Sequence, residues 1–250
     1  MLRSVKALSD YVLKAKDGQV GRCKDFLFDD QFWAIRYMEA ETNKWLPGRR
    51  VLISPISLGE SDWQARLLDV QLTKKQIEDS PGIDQDAPVS RQHEAQWAKH
   101  YGWSYYWMGQ GIWGATDYIR APIDPDELEA VSEKELNSSD SHLRSINEVI
   151  GYKIQAKDDK IGHVEDFVLD DNLWILRYLV IDTRNWLPGG RKVLVSPGWV
   201  DHISWTDRIV GINLSAKAIE NGPEYDPSLP VNREYEERLY DFYGRPYYWK

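Results

Sequence analysis

Cysteine is almost missing from this chain: Cys23 stands alone among 250 residues. No intramolecular disulfide can form, which fits a reducing compartment. Missing too is any apolar run near the roughly 18 residues that a membrane-spanning helix needs. The first residues, Met1-Leu2-Arg3-Ser4-Val5-Lys6, lack the apolar core of a signal peptide. The sequence therefore predicts a cytoplasmic protein without a transmembrane segment. A basic excess is also lacking, since 31 Lys and Arg face 40 Asp and Glu, for a net charge of −9. Residues 1–107 hold 15 basic and 15 acidic side chains, residues 143–250 hold 14 and 17, and residues 108–142 hold 2 and 8. The acidity is concentrated in the middle. Neither flank offers the concentrated cationic surface that nucleic acids require, so direct nucleic-acid binding is not expected.

Aromatic residues are abundant instead, with 12 Trp, 14 Tyr and 5 Phe, and much of the chain repeats. Leu2-Arg3-Ser4 recurs as Leu143-Arg144-Ser145, Asp25-Phe26 as Asp166-Phe167, and Asp29-Asp30 as Asp170-Asp171. Trp33 with Arg36-Tyr37 recurs as Trp174 with Arg177-Tyr178, and Trp45-Leu46-Pro47-Gly48 as Trp186-Leu187-Pro188-Gly189. One inserted glycine then moves the offset from 141 to 142, and the match runs on to Tyr105-Tyr106-Trp107 and Tyr247-Tyr248-Trp249. A full-length match with one gap is a tandem duplication. The expected boundaries are 1–107 for unit one, 108–142 for an acidic linker and 143–250 for unit two.

Within one copy, strands are expected near 11–15, 20–29, 32–40, 50–54, 56–59 and 65–72. Asp17-Gly18 supplies a hairpin turn. A two-residue turn at Asp30-Gln31 would make paired positions add to 61 and set Asp25 opposite Arg36. The same construction sets Asp166 opposite Arg177, and an opposite-charge pair present twice would pin the register. Thr73 with Gln76 predicts a capping box opening a short helix, whereas Ser215 with Ala218 keeps half of one. A longer helix runs from Ser90 to a glycine cap at Gly102, and from Asn232 to Gly244 in the second copy. Asp124-Pro125 predicts another helix start, and residues 137–141 a polar joint.

The run Ala156 to Phe167, then Trp174-Ile175-Leu176-Arg177-Tyr178-Leu179-Val180 and Val193-Leu194-Val195-Ser196-Pro197, resembles the PRC-barrel. That domain is shared by the cytoplasmic part of the photosynthetic reaction-centre H subunit and by the ribosome-maturation factor RimM. The resemblance implies two tandem PRC-barrel-like small antiparallel β-barrels, mainly β with short helices, each with a C-terminal helical extension. It implies a protein-docking barrel rather than a catalytic one, and a link to photosynthetic electron transport by way of the H subunit.

No residue pattern points to chemistry. Gly109-Gln110-Gly111-Ile112-Trp113-Gly114 spells a dinucleotide motif but lies in the linker with no βαβ unit around it, and reads as flexible-joint glycines. Asp29-Asp30 and Asp170-Asp171 read as turn residues. The histidines at 93, 100, 142, 163 and 202 form no ligand-spaced cluster, so no metal is expected. Cys23, matched by Val164, reads as a small buried hydrophobe. No catalytic residue or cofactor is assigned. The tryptophans that occur twice read as core; the unmatched Trp97, Trp103, Trp113 and Trp199 are the candidate partner surface. The leading expectation is a non-catalytic docking protein forming an intramolecular pseudo-dimer, with an unnamed protein partner and a homo-oligomer left open. A ribosome-assembly factor and an enzyme with an inter-barrel site are the rival readings.

Overall fold

The computed structural model describes residues 1–42, 46–47, 49–83, 88–124, 126, 128, 136, 142–183 and 190–250. They gather into two compact units, but not at the boundaries the repeat suggests. The first unit is residues 8–146; the second is residues 1–7 together with 147–250. The expected helix after Asp124 and the joint at 137–141 lie largely or wholly outside the described residues, as do Trp45 and Trp186.

After β1 (Leu2–Ser4), the first unit lays down β2 (Val12–Ala15), β3 (Gly18–Asp29), β4 (Ile35–Glu41), β5 (Val51–Ile53), β6 (Leu58–Asp62) and β7 (Leu67–Val70). Their order in the sheet is β5-β4-β3-β2-β7-β6, and β8 (Leu143–Ser145) pairs with β3 off this path. The second unit repeats the plan with β9 (Lys153–Gln155), β10 (Lys160–Asp170), β11 (Ile175–Asp182), β12 (Lys192–Val195), β13 (Val200–Ser204) and β14 (Ile209–Ile212). Its order is β12-β11-β10-β9-β14-β13, with β1 on β10. Each unit is thus a mainly β, barrel-like sheet whose end strands do not meet. The sheets are mixed rather than purely antiparallel, because β7 runs parallel to β2 and β14 parallel to β9. The chain passes through four strands before returning beside β2 and β9, and it re-enters in the same direction.

Leu13, Phe28, Ile35, Met38, Ile53 and Leu68 are fully buried in the first unit, as are Ile154, Phe167, Leu179, Ile181 and Val193 in the second. β4 and β11 are buried almost without alternation, the pattern of a strand covered on both faces. The extension helices supply the second cover. Arg91–Tyr101 caps at Ser90 and ends on left-handed Gly102, and Arg233–Tyr243 caps at Asn232 and ends on left-handed Gly244, as the sequence predicts. The capping box at Thr73 and Gln76 forms in full, while Ser215 supplies only the forward bond, to the Ala218 amide.

The register corrects the expected charge pairs. Asp25 lies across from Glu39, not Arg36, and Asp166 across from Val180, not Arg177. The turn is longer than two residues. In the first unit residues 30–34 make it, closed by Asp29 N–H donating to the Ala34 carbonyl and Trp33 N–H to the Asp29 carbonyl. Trp33 and Trp174 adopt left-handed backbone, φ 58° and 54°. The Asp29 carboxylate accepts from the amides of Gln31 (3.1 Å) and Phe32 (2.6 Å). This is turn chemistry, as expected. A bulge between Leu27 and Phe28 then shifts the ladder further. Arg36 consequently pairs with Asp29, its Nε donating at 2.5 Å, and Arg177 with Asp170 at 3.4 Å.

Candidate docking site

The elements that the sequence left unread are two three-residue arms. Leu143-Arg144-Ser145 lies antiparallel on the end of β3, pairing with Asp29, Phe28 and Leu27. Leu2-Arg3-Ser4 lies the same way on the end of β10, pairing with Asp170, Leu169 and Val168. Each arm thus completes the sheet of the unit built mainly from the other sequence repeat. The receiving residues are the duplicated aspartates. Ser145 Oγ donates to Asp25 and Ser4 Oγ to Asp166, both at 2.5 Å. The Lys6 amide adds a bond to Asp166 at 3.0 Å.

The second aspartate of each pair takes the arm's arginine. Asp30 meets Arg144 at 3.2 Å and His142 at 3.0 Å; Asp171 accepts from Arg3 Nε at 2.5 Å and also meets the amino group of Met1. Asp30 N–H donates to the His142 carbonyl and Asp171 N–H to the Met1 carbonyl, each at 3.0 Å. Adjacent strand residues face opposite ways, so one Asp-Asp pair does two jobs. Its first carboxylate holds the turn and the sheet arginine; its second reads the arm. Burial lifts the Asp166 carboxyl above its ordinary value, against the Ser4 hydroxyl and the Lys6 and Phe167 amides that favour its anion.

A second duplicated constellation fastens the extension helices. Glu94, fully buried, accepts from Tyr37 at 3.0 Å, Tyr106 at 2.6 Å and Arg91 at 2.9 Å. Arg36 lies 4.0 Å over the Tyr106 ring and Arg91 4.4 Å over Trp107. In the second unit Glu236 accepts from Tyr178 at 2.6 Å and Tyr248 at 2.8 Å, and Arg233 pairs with it at 3.1 Å. Burial, the largest influence, pushes the Glu94 carboxyl up to about 7 despite Arg91 and the two phenols. The sequence signal for this lock was present: Arg91 and Glu94 recur as Arg233 and Glu236 at the 142 offset.

The tryptophan assignments hold only in part, since the twice-present Trp174 is buried at 5% exposure as expected. Trp97, Trp103, Trp113 and Trp199 are buried, at 3%, 2%, 2% and 5% exposure, and form no partner surface. Trp97 donates to the Pro81 carbonyl and Trp103 to Ser57. Trp113 sits 4.7 Å from the Arg36 guanidinium, and Trp199 packs on Tyr240 and Tyr243. Of the other twice-present tryptophans among the described residues, Trp33, Trp63, Trp107, Trp205 and Trp249 are half-buried. Unmatched tryptophans fill space particular to one unit, where no twin is needed. The glycines at 109–114 form a tight turn rather than a loose joint: a Cβ on Gly109 or Gly111 would stand 2.6 or 2.4 Å from a backbone oxygen.

Cys23 is buried, and desolvation, followed by Asp25, holds its thiol well above the ordinary value. His93 bonds Ser90 and His100 the Gln76 carbonyl, so neither faces the other. Cross-strand pairing sets His163 opposite Asp182, and with Glu165 they form a group whose ligand atoms lie within 4.8 Å. These are donors that could hold a cation. Lys6 at 2.9 Å and Lys192 at 3.5 Å also stand on Glu165 Oε1, while His163 Nε2 lies 3.6 Å from its Oε2.

Mixed barrel-like sheets with a covering helix and a paired arm define a class of small, mainly β modules. Residues 142–216 match the family model described as PRC-barrel domain. The chain accordingly carries a PRC-barrel domain, and its first repeat follows the same strand order and motif residues. The matched stretch begins with the arm β8, which completes the first unit's sheet, so the linear domain and the compact unit are different sets of residues. No curated protein matches the chain. No helix among the described residues is long and apolar enough to cross a membrane.

Proposed function

We propose that this chain is a non-catalytic docking protein whose PRC-barrel-like units hold extended protein segments at a sheet edge. One observation carries the reading. Each unit binds three residues from outside its own sequence repeat, through backbone pairing plus a serine-to-aspartate bond and an arginine-to-aspartate ion pair. Backbone pairing supplies affinity and the alternating side chains supply selectivity, the logic of strand addition. The duplicated polar residues support it further, because Asp25, Asp29, Glu94 and their twins serve arm, turn and helix rather than one open cleft. The reaction-centre H subunit resemblance makes a photosynthetic complex one candidate partner, and the RimM resemblance makes ribosomal protein another.

The test is in-cell cross-linking of the tagged full chain with mass spectrometry, run beside an Asp30→Ala/Asp171→Ala chain. The proposal expects a stoichiometric protein partner whose recovery falls in the variant. Equal recovery from both chains would remove the sheet edge from the function, and ribosomal proteins dominating the cross-links would favour the assembly-factor reading.

A further inference from the structure

Resting on the docking reading, we propose that the segment these sites recognise is Leu-Arg-Ser itself, and that the partner able to deliver it in trans is a second copy of this chain, joined by arm exchange. The receptors and the ligand are both written twice in the sequence. Asp25 with Asp30, and Asp166 with Asp171, read the serine and arginine of the arms in the same register, on the same side of equivalent strands. Without an arm, β10 would keep its pairing to β11 but present one unpaired edge at residues 168–170, beside the buried carboxylate of Asp166, 7% exposed. An open edge of that kind pairs with the next suitable strand. The receptor is therefore incomplete on its own, and an arm is what completes it.

Nothing in the contacts requires arm and receptor to belong to one chain. The arm Met1–Ala7 joins its own repeat at a single crossing, between residues 7 and 8, and the second arm crosses between 146 and 147. Exchanging the same arm between two chains keeps every hydrogen bond and ion pair, and changes only the cost of association. Within one chain the arm acts at an effective concentration in the millimolar range, so the closed form prevails in dilute solution. Crowding of chains, or a weakened arm, shifts the balance to the exchanged form. Lys6 on Glu165 and Arg3 on Asp171 add charge complementarity to the backbone pairing.

Two full-length variants test this by complementation. Arg3→Glu/Ser4→Ala disables the first arm and leaves its receptor; Asp166→Asn/Asp171→Ala disables the receptor and leaves the arm. Circular dichroism confirms folding, with Arg3→Ala as the milder arm variant should the double change unfold the unit. Each variant alone should be monomeric by light scattering, and their mixture should form a heterodimer. A fluorescent peptide of residues 1–8 should bind the folded arm-disabled chain with Kd about 10 μM. It should bind the parent chain, whose own arm competes, at least about tenfold more weakly. Adding Asp166→Asn/Asp171→Ala to the arm-disabled chain should abolish peptide binding. A folded arm-disabled chain that ignores the peptide and forms no heterodimer would overturn the inference, as would binding that persists without the two aspartates. The docking reading has its own fate: cross-linking to another protein through the 30 and 171 positions would leave it standing when this inference fails.

Discussion

At the scale of single residues, four positions concentrate the energetics. Glu94 binds its proton more tightly in the folded chain than its ordinary value of 4.5 would allow. The contribution is therefore complete below pH 4.5 and is lost as pH rises towards 7, on the order of 3 kcal/mol by linkage. The melting temperature of the first unit should fall between pH 5 and pH 8, and Glu94→Gln should flatten that fall; an unchanged slope would place the proton elsewhere. Gly162 sits at φ 74° where a Cβ would stand 2.1 Å from the Asp182 carbonyl oxygen, and a Cβ on Gly21 would stand 2.3 Å from that of Glu41. Either Gly→Ala change combines strain with a backbone clash, and urea denaturation should show a loss of about 3 kcal/mol or more. Ser145→Ala strips the buried Asp25 carboxylate of one charged hydrogen bond, a loss of roughly 2 kcal/mol. Chevron analysis would place that loss in the first unit, although Ser145 belongs to the second repeat.

At the scale of elements, helix ends were legible and the turn between the two long strands was not. Ser90, Asn232, Thr73 and Ser215 all cap where the sequence places them, because a cap is a local exchange between a side chain and the amide three residues on. Thr73→Ala removes the two bonds of the hydroxyl, one accepted from the Gln76 amide and one donated to the Gln76 side chain, while the Thr73 amide keeps its own; it should cost about 1 kcal/mol, whereas Ser215→Ala removes a single bond and should cost less. Comparing the two in thermal melts checks the difference. The β3–β4 turn escaped because a left-handed Trp33 lengthens it by residues that no Asn-Gly or Asp-Gly signal marks. A bulge then displaced Arg36 from Asp25 to Asp29. The tryptophans misled for a related reason: repetition records what both units share, and burial of Trp97 or Trp199 depends on packing particular to one of them.

At the scale of the whole molecule, the consequence of arms that complete the other repeat's sheet is that deletion and damage act at a distance in sequence. A chain lacking residues 1–7 should lose amide protection at 168–170 in hydrogen exchange while 27–29, covered by the second arm, stays protected. Loss of protection at 27–29 instead would mean that the arms serve their own repeats. The sequence by itself determined the duplication, the mainly β class, the helix caps, the turn role of Asp29 and the net acidic charge. All of these are local or compositional, and one chain of letters carries them in full. Only the tertiary structure decided which repeat each Leu-Arg-Ser completes, which carboxylate meets which arginine, and which tryptophans are covered. An arm fits either copy of a duplicated receptor equally well as a string, and the choice is made by where the chain crosses between units, a long-range geometric fact with no local signature.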